Sequence, residues 1–492
     1  MSTITIRNLT FAYPGQAPLF DRVSLTLDSS WRLGLLGRNG RGKTTLLKLL
    51  LGELSGQGDI TFPLTPAFFP APVADPTAFA GEAIGMGEAL PQWQLERELA
   101  QLDCNPAILL QPFATLSGGE QTKLLLARAF ADPRRFVLLD EPTNHLDAAG
   151  RAQLAAYLKR KRQGYIVTSH DRGFLDQVVD HVLVIESQQL TLMNGDFSTY
   201  HREKGRRDRA AIDRNRQLKQ EISDLRQTAA QKRAWAGKAE AKKDHAAHGD
   251  RGFLGAKAAK MMKRSTVLTK RLAAQAEARQ GLLANVEEVV PLTINYQAPV
   301  EETVLVARAF TAAPFPGGPQ TPPLSLPLKR GQQVVLAGRN GSGKTTLLKQ
   351  VAATIATHRA TTSLRFSGHL TVAALPQVIT MPHQSLAAYA KAKGVDQGDL
   401  FSLLHKLGIP RATFAQCADE LSAGQQRKLA LATCFLTPAN LYLLDEPFNY
   451  LDTENQDQLV ALIKQAQPTV LLVEHDQALI EQLGAPVVNL TD

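Results

Sequence analysis

Cysteine is scarce in this chain, with three residues among 492, at Cys104, Cys417 and Cys434. Their odd number and wide spacing exclude a disulfide framework and a paired metal-ligand motif, and they suit a reducing compartment. Apolar runs of about 18 uncharged residues are also lacking, so the sequence predicts no membrane span. The opening stretch MSTITIRNLTFAY alternates like a strand and has no signal-peptide core. We therefore expect a cytoplasmic protein without a membrane partner.

The net charge of +9 is distributed unevenly along an otherwise ordinary globular composition of 44% apolar and 21% charged residues. Residues 201–285 hold 22 basic against 9 acidic residues, a net +13, whereas the rest holds 33 against 37, a net −4. A run of charge is usually a solvated helix face. This one is large, local and of one sign, which favours a polyanionic partner.

Four motifs occur twice, in the same order. They are GRNGRGKTTLLK and GRNGSGKTTLLK (37–48, 338–349), LSGGEQTKLLLA and LSAGQQRKLALA (116–127, 421–432), FVLLDEPTNHLD and LYLLDEPFNYLD (136–147, 441–452), and IVTSHD and LLVEHD (166–171, 471–476). The serine of the second motif precedes the first aspartate of the third by 23 residues in both copies. That aspartate precedes the histidine of the fourth motif by 30 residues in both. The chain therefore contains two copies of one domain.

Each copy predicts an α/β domain. Apolar, β-rich runs end in charged or glycine-rich motifs and are followed by helical patterns, which favours a mainly parallel sheet with helices on its faces. The predicted strands are residues 32–36, 136–139, 165–168, 334–337 and 469–473.

The segment between the copies predicts two long antiparallel helices joined by a tip at about residues 246–254. Apolar residues at helical spacing flank this glycine-broken stretch. They are Leu218, Ile222, Leu225 and Ala229 before it, and Leu268 and Leu272 after it. Forty helical residues would reach roughly 60 Å. A rigid spacer is the alternative, but a spacer requires neither the excess charge nor an exposed Phe253.

The predicted tip is apolar and its flanks are cationic. The candidate residues for contact with a polyanionic partner are Lys242, Lys243, Phe253, Leu254, Lys257, Lys260 and Arg264. The last three recur at i, i+3 and i+7, which places them on one helical face. Basic helices follow RNA phosphates, and an apolar or aromatic tip can pack on bases.

The first repeated motif, GxxxxGKT, follows a predicted strand and opens a helix in both copies. Its glycines let backbone N–H groups surround phosphate oxygens, and the helix N-terminus adds partial positive charge. We expect Lys43 and Lys344 to pair with the β- and γ-phosphates of ATP, and Thr44 and Thr345 to ligate Mg²⁺. A chance glycine turn would have to occur twice. The other loop candidates are Gly37, Asn39, Gly40, Gly42 and Thr45, with Gly338, Asn340, Gly341, Gly343 and Thr346.

The acidic pairs and histidines supply the expected catalytic groups. Asp140 and Asp445 end apolar strands and are candidates for the Mg²⁺ shell. The next residue in each copy is expected to polarise the attacking water, and the histidine that ends the following strand to contact the γ-phosphate. These catalytic candidates are Glu141, Glu446, His170 and His475. A lone histidine is more often structural, but two at matched distances from matched acidic pairs favour function.

LSGGE and LSAGQ are expected to open helices, each with a serine cap followed by small residues that leave N–H groups bare. The candidates are Ser117, Gly118 and Gly119 in the first copy, and Ser422, Ala423 and Gly424 in the second. Each copy already has a phosphate loop. We therefore expect each of these helix ends to face the nucleotide of the other copy, so that ATP holds the two domains face to face.

Taken together, these motifs resemble the ATP-binding-cassette ATPases. Tandem cassettes with a charged helical linker resemble the ABC-F class, which acts on the ribosome. The linker sequence DRGFLGAKAAKMMKRS and the loop sequence GRNGRGKTT are similar to those of the Lsa/Vga/Vml antibiotic-resistance proteins, with Lsa closest. The resemblance covers nearly the whole chain and implies a first cassette at 1–200, a basic hairpin linker at 201–285 and a second cassette at 286–492.

The resemblance also implies function. It implies a monomer that binds the exit site of the bacterial 70S ribosome in its ATP state, with the linker beside peptidyl-site tRNA and near the 23S rRNA of the peptidyl transferase centre. Lincosamides, pleuromutilins and streptogramin A would be displaced there, and ATP hydrolysis would drive release. Tyr13 matches the adenine-stacking aromatic residue of the family, and Phe315 is a candidate counterpart.

Two positions depart from the family pattern. The glutamine expected about thirty residues after the phosphate loop is Gln377 in the second copy, where it is a candidate nucleotide and Mg²⁺ contact, but the matching residue in the first is Ala71. The second signature has Ala423 where glycine is expected. Both departures fall in the composite site that uses Lys43 with Ser422, so we expect slower turnover at that site.

Two other functions compete with ribosome protection. A general translation or nucleic-acid ATPase would bind free DNA more strongly than ribosomes. The energising subunit of a membrane transporter would also have tandem cassettes, but it gives the +13 linker no role. The interval from Ala71 or Gln377 to the signature, 45 and 44 residues, leaves no room for the extra arm of some translation-factor relatives. This favours the resistance branch.

Overall fold

The computed structural model describes residues 3–15, 17–86, 90–144, 146–186, 188–244, 251–280, 290–313, 320–339 and 341–490. Side chains at 233, 236–244, 251–259, 261 and 262 lie outside that description. The chain divides into two compact units. Unit 1 comprises Met1–Ser198 with Val289–Asp492 and holds both copies of the repeated domain, and unit 2 is Thr199–Glu288.

The first copy is built on two sheets. Its strands are β1 (Thr3–Phe11), β2 (Phe20–Asp28), β3 (Arg32–Leu36), β4 (Gln57–Thr61), β5 (Thr65–Phe69), β6 (Arg135–Asp140), β7 (Tyr165–Thr168), β8 (His181–Glu186) and β9 (Gln189–Asn194). Its helices are α1 (Lys43–Leu51), α2 (Ala80–Ala83), α3 (Gln92–Gln101), α4 (Gly118–Phe130), α5 (Ala148–Arg160) and α6 (Arg172–Val178), with 3₁₀ turns at Pro106–Leu110 and Phe113–Thr115.

The main sheet of the first copy has the order β5-β6-β7-β3-β8-β9, and only β9 is antiparallel to its neighbour. Its central strands are buried on both faces, which is why β6 and β7 are continuous apolar runs. An antiparallel sheet of order β2-β1-β4 packs its apolar side chains into the same core. The carboxyl ends of β3, β6 and β7 meet at one edge, where parallel α/β sheets bind their ligands.

Unit 2 contains the helix α8 (Arg251–Gln280) and all but the first two residues of the helix α7 (Phe197–Asp244). The 48 residues of α7 give a helix of roughly 70 Å. The helices run antiparallel, because Glu221 pairs with Arg279 at 2.5 Å whereas Ser265 Oγ, earlier in α8, donates to the carbonyl of Lys232, later in α7, at 3.2 Å. The predicted hairpin is therefore confirmed.

Two details of the linker differ from the sequence prediction. Leu268 is 40% exposed, and the half-buried positions beside it are Ser265 and Thr269. Among the described side chains of α8, Ser265 and Thr269 therefore belong to the inner face, and a search for apolar periodicity misses such hydroxyl residues. Residues 251–254 of the predicted tip are already helical, and the rest of the tip, 246–250, lies outside the described residues.

The second copy repeats the architecture of the first. Its strands are β10 (Thr303–Phe310), β11 (Leu324–Lys329), β12 (Gln333–Ala337), β13 (Leu364–Phe366), β14 (Val372–Leu375), β15 (Leu441–Asp445), β16 (Val470–Val473) and β17 (Val487–Asn489). Its helices are α9 (Lys344–Ala356), α10 (Leu386–Lys393), α11 (Gln397–Lys406), α12 (Ala423–Leu436), α13 (Thr453–Ala466) and α14 (Gln477–Leu483), with 3₁₀ turns at Arg411–Ala415 and Ala418–Glu420.

The main sheet of the second copy is β14-β15-β16-β12-β17, all parallel, beside an antiparallel β11-β10-β13 sheet. The order β14-β15-β16-β12 repeats β5-β6-β7-β3, so equivalent loops lie at the same edge of each sheet. None of the described helices is long and apolar enough to cross a membrane.

Candidate active sites

A glycine-lined loop joins the end of β3 to the start of α1. Gly40 and Gly42 adopt left-handed φ values of 82° and 97°, and a Cβ atom on Gly42 would lie 3.1 Å from the ring of Phe20. Lys43 then opens the helix and curls back, because its Nζ donates to the carbonyl of Gly37 at 2.7 Å and to Asn39 Oδ1 at 3.2 Å. The loop thus presents an ammonium group beside the bare N-terminus of a helix, which is an anion site.

The second copy builds the same loop. Gly341 and Gly343 have φ values of 81° and 85°, and a Cβ atom on Gly343 would lie 2.3 Å from Thr321 Cγ2. Lys344 Nζ donates to the carbonyls of Gly338 and Arg339, at 2.9 and 2.7 Å. Asn340 lies outside the described residues.

Asp140 is placed by the parallel register of β6 and β7. That register sets it opposite Thr168, whose Oγ1 donates to Asp140 Oδ1 at 2.6 Å. The other carboxylate oxygen accepts from Thr44 Oγ1 at 2.9 Å. A hydroxyl of the phosphate loop and a strand-end carboxylate therefore share one position, which is the donor set that Mg²⁺ takes in P-loop enzymes.

Glu141 and His170 face each other beside this position. Glu141 has a left-handed φ of 52°, a conformation that costs a non-glycine residue about 1–3 kcal/mol. Its backbone N–H is held by the carbonyl of Thr168 at 3.1 Å. His170 Nε2 lies 3.4 Å from Glu141 Oε1. Burial raises the pKa of Glu141 to about 7 and lowers that of His170 to about 3, so the carboxyl lies near the range of a general base and the imidazole is neutral.

The second copy carries the equivalent groups with an additional amide. Gln377 Oε1 lies 3.4 Å from Thr345 Oγ1, and its Nε2 donates to Glu446 Oε1 at 3.2 Å. Glu446 again has a left-handed φ, 51°, and its other oxygen accepts from Asn449 Nδ2 at 2.6 Å. Gln377 therefore connects the loop hydroxyl to the candidate base.

The strand register also identifies the equivalent of this amide in the first copy. Phe69 pairs with Leu139 as Leu375 pairs with Leu444, which aligns Ala71 with Gln377. The first copy has a methyl group where the second has the bridging amide.

His475 Nε2 lies 3.6 Å from Glu446 Oε1. Burial lowers the pKa of His475 to about 4 and raises that of Asp445. The buried atoms Asp445 Oδ1, His475 Nε2 and, in the first copy, Glu141 Oε1 have no hydrogen-bond partner. Orphaned buried polar atoms are costly unless a ligand satisfies them. Their grouping beside the phosphate loops fits a bound nucleotide with a divalent cation.

The two signatures open helices as predicted. Ser117 and Ser422 are the N-caps of α4 and α12, and each forms a capping box, with Glu120 and Gln425 respectively. A Cβ atom on Gly424 would lie 4.0 Å from Asn39 Nδ2. The signature of the second copy therefore lies against the phosphate loop of the first, as the sequence argument expected.

The loop before α13 completes this contact. Asn39 Nδ2 donates to the carbonyl of Tyr450 at 2.8 Å, and the Asn39 N–H donates to Asp452 Oδ2 at 3.2 Å. We call this arrangement site 1: the loop of Lys43 faced by the second copy. Site 2 is the loop of Lys344 faced by the first copy, where Asp147 acts electrostatically on both Lys344 and His475.

The family model described as ABC transporter matches residues 20–144 and 322–449, just over half of the chain. The chain belongs to this family. It is therefore an ABC ATPase with two cassettes, and the predicted hydrolysis of ATP is confirmed at the level of the family.

Full-length relatives confirm the resemblance to the ABC-F class. The chain is 27% identical to "Ribosome protection protein VmlR" of Bacillus subtilis, covering 97% of this chain and 85% of the relative. It is 28% identical to "ATP-binding protein Uup" of Caulobacter vibrioides, covering 97% and 75%. It is 27% identical to "Probable ATP-binding protein YheS" of Haemophilus influenzae, covering 95% and 76%.

Solved structures support the fold. The archaeal ribosome recycling factor aABCE1, in complex with the stalk protein aP1, matches with a TM-score of 0.60 at 20% identity, covering 98% of this chain and 87% of that one. A structure titled "RNase-L Inhibitor" matches with the same TM-score at 19% identity and the same coverage. At this identity the likeness establishes the architecture of tandem cassettes alone.

The remaining sequence candidates are less completely described. Tyr13 is 37% exposed, and its hydroxyl lies 3.2 Å from Thr45 Oγ1 at the start of α1. Phe315 lies outside the described residues. Among the linker candidates, Lys260 and Arg264 are exposed, and the side chains of the others fall outside the description.

Several residues of the ABC ATPase were missed by sequence reasoning. Arg427, in the second signature helix, donates to the carbonyls of Asp445 and Glu446 and so braces the catalytic strand end. Its equivalent, Thr122, bonds only within its own helix in the described contacts. Trp235 is 65% exposed on α7 and could have been found as an aromatic residue in a basic helix.

Proposed function

We propose that this ABC-F ATPase protects the bacterial ribosome from drugs of the peptidyl transferase centre. Two ATP molecules close the cassettes, and the closed protein binds the exit site. The observation that carries the proposal is a hairpin linker with a net charge of +13 in a chain similar over 97% of its length to a ribosome protection protein. The cassettes with their flanks carry a net −4, so the linker supplies the attraction to RNA.

The residues at the two sites have matched roles in this proposal. Lys43 and Lys344 hold the β- and γ-phosphates. Bound Mg²⁺, held by Thr44 with Asp140 and by Thr345 with Asp445 and Gln377, supplies charge neutralisation on the phosphates. Glu141 and Glu446 accept a proton from the attacking water, and His170 and His475 contact the γ-phosphate as neutral donors. Tyr13 stacks on adenine at site 1.

The linker acts on the drug site. Helices α7 and α8 lie along the phosphates of 23S rRNA and beside peptidyl-site tRNA, and their tip displaces lincosamides, pleuromutilins and streptogramin A. Hydrolysis then opens the cassettes and releases the ribosome into the cytoplasm. Exposed Trp235 gives the linker a face on which a base can stack.

A general translation or nucleic-acid ATPase is the second candidate. The chain is as similar to proteins named only ATP-binding, Uup and YheS, as to the ribosome protection protein. Free DNA binding that exceeds ribosome binding would favour this candidate.

Drug susceptibility tests the proposal. A sensitive bacterium expressing the protein should grow at raised concentrations of at least one of the three drug classes. Expression of Lys43→Ala with Lys344→Ala should abolish the effect, because neither phosphate loop holds nucleotide. Phe253→Ala should reduce resistance while leaving ATP turnover unchanged. Unaltered susceptibility to all three classes, at matched expression, would contradict ribosome protection.

A further inference from the structure

Sites 1 and 2 differ in the charges that join the cassettes around them. From the signature motif onward, the repeated motifs align the two copies with an offset of 305 residues, as from Asp147 to Asp452. Helix α13 of the second cassette faces site 1, and α5 of the first cassette faces site 2. Equivalent positions on these helices can therefore be compared directly.

Arg38, in the phosphate loop of site 1, forms the first pair. Its Nε lies 3.3 Å from Glu454 Oε2, in the first turn of α13. Both side chains are about three-quarters buried, at 25% and 24% exposure. Solvent therefore screens this pair less than a surface ion pair.

Arg172, which follows the histidine loop of site 1, forms the second and larger contact. It is 7% exposed and donates to three groups of the other cassette: Asp457 Oδ1 at 2.7 Å, Gln456 Oε1 at 3.1 Å and the carbonyl of Thr453 at 2.6 Å. Gln456 Nε2 returns a bond to the carbonyl of His170 at 3.2 Å. The backbone of the site 1 histidine is thus tied to the second cassette.

The equivalent positions at site 2 cannot form these pairs. Ala149 and Ala152 stand where the second cassette has Glu454 and Asp457, and Gln477 stands where the first has Arg172. Gln477 Nε2 donates within its own helix, to Glu481 at 3.4 Å. The equivalents of both charged partners in α13 are therefore methyl groups.

Carboxylates also face each other at site 2. The carboxylate of Asp171 in the first cassette repels that of Asp476 in the second. Within the first cassette, Arg151 forms an ion pair with Asp171 at 3.1 Å. Burial, followed by this like charge, raises the pKa of Asp476 to about 6. Around site 1 two direct ion pairs join the cassettes, although Lys43 also feels the like charge of Lys428. Around site 2, Asp476 feels both the like charge of Asp171 and the opposite charge of Arg151 from the first cassette.

We propose that Arg38, Arg172, Glu454 and Asp457 keep site 1 closed after hydrolysis, so that the cassettes open at site 2 and turn about site 1. These are positioning residues, because they join the cassettes and hold the site 1 histidine loop without contacting the reacting atoms. The inference rests on the ATPase cycle and not on ribosome protection, so either can fail alone.

Fluorescence energy transfer across each site tests the proposal in the full chain. For each site, two exposed residues on the helices that flank it are replaced by cysteine and labelled with a pair of dyes. They are Gln177 with Lys464 for site 1, and Lys159 with Glu481 for site 2. The chain also carries Cys417→Ser, which removes the native cysteine that is not fully buried. With ATP and Glu141→Gln, Glu446→Gln, both pairs should report closure. With ADP, transfer should fall at site 2 and persist at site 1.

Three variants then assign the cause. Arg172→Gln with Glu454→Ala and Asp457→Ala gives site 1 the residue types of site 2, and transfer at site 1 should then also fall with ADP. Arg172→Lys alone, which keeps the charge, should retain closure. The mirror change, Ala152→Asp with Gln477→Arg, should preserve transfer at site 2 with ADP.

Equal loss of transfer at both sites of the parent chain with ADP would overturn the proposal. So would persistent closure of site 1 in the triple variant while its ATP-bound closure is normal. If the triple variant fails to fold, the mirror variant decides: unchanged opening at site 2 contradicts the role of the ion pairs.

Discussion

Glu474 is a buried carboxyl that the proposed chemistry does not use. It precedes His475, and its Oε1 accepts from the backbone N–H groups of His475 and Asp476 at 2.7 and 3.0 Å. Its Oε2 is buried without a partner. The first cassette has Ser169 at this place, bonded to Thr143 at 2.9 Å. The second histidine loop is therefore held by a titratable group, unlike the first.

Replacing Glu474 by Gln should change the dependence of stability on pH. Burial raises the pKa of Glu474 from 4.5 to about 7, so the folded state binds this proton more tightly than the unfolded chain. Its contribution to stability is therefore lost as pH rises from about 4.5 to about 7. Gln keeps the accepting oxygen and does not ionise. We expect the variant to melt about 2–4 °C above the parent at pH 8 and no higher at pH 5.

Thermal unfolding monitored by circular dichroism at both pH values measures this effect. Glu481→Gln, an exposed carboxyl on the next helix, is the matched control and should leave the pH dependence unchanged. A melting-temperature gain at pH 5 as large as that at pH 8 would show that Glu474 is not the titrating group.

At the scale of single residues, the sequence predicted the site residues that occur in both copies and missed the contacts that differ between the copies. Lys43, Glu141 and their equivalents could be named because paired motifs fix both residue type and spacing. The left-handed backbone conformation of Glu141 and the hydrogen bonds of Arg172 to the other cassette could not be predicted. Arg172 follows a recognisable histidine loop, but its partner Asp457 is 285 residues away and belongs to no motif.

At the scale of elements, the strand ends β5 and β14 lead to different loops. Gln377 joins Thr345 to Glu446, and Arg427 braces the carbonyl of Glu446, whereas the first cassette has Ala71 and Thr122 at these positions. The candidate base of site 2 is therefore oriented by two side chains that site 1 lacks.

Hydrolysis should consequently be slower at site 1. Glu141→Gln leaves site 2 working and Glu446→Gln leaves site 1 working. Single-turnover hydrolysis should be at least about tenfold faster in Glu141→Gln, because one well-placed polar group at a reacting centre contributes that much or more. Adding Ala71→Gln to Glu446→Gln should recover part of the difference. Equal rates in the two single variants would refute the inequality.

The linker helices should determine how ribosome binding depends on salt. Lys260, Lys263 and Arg264 are exposed on α8. Changing all three to Ala should weaken ATP-dependent ribosome binding and reduce the slope of log affinity against log salt by about 2–3, because each phosphate contact contributes about 0.7–0.9. Filter binding at several salt concentrations measures this slope.

An equal loss of charge on the cassettes serves as the control for that experiment. Changing Lys391, Lys393 and Lys464 to Ala removes three exposed cations from α10 and α13, and we expect this variant to leave the slope within error. The same slope change in both variants would indicate a general effect of net charge and not contact by the linker.

The helical hairpin shows where periodicity succeeds and fails at this scale. Leu218 and Ile222 are buried on α7 as their spacing predicted. On α8, Leu268 is exposed, whereas Ser265, three residues earlier, hydrogen-bonds to the facing helix. In a two-helix hairpin most side chains stay in contact with water, so apolar spacing constrains the inner face weakly.

At the scale of the whole molecule, hydrogen bonds between loops of the two copies hold the cassettes closed on each other. Neither copy could form these hydrogen bonds alone. Asn39 reaches the carbonyl of Tyr450, and Gln456 reaches the carbonyl of His170. The tandem repeat and the exposed signature helices allowed this face-to-face arrangement to be predicted. The unequal charges around the two sites could not be predicted, because each ion pair joins residues of different copies.

Ribosome co-sedimentation tests the central claim most directly. Glu141→Gln with Glu446→Gln should pellet with bacterial 70S ribosomes in ATP and remain in the supernatant in ADP. Lys43→Ala with Lys344→Ala should remain in the supernatant in both. If the Glu→Gln chain binds ATP yet stays in the supernatant with every nucleotide, the claim that closed cassettes present a cationic hairpin to the ribosome is contradicted.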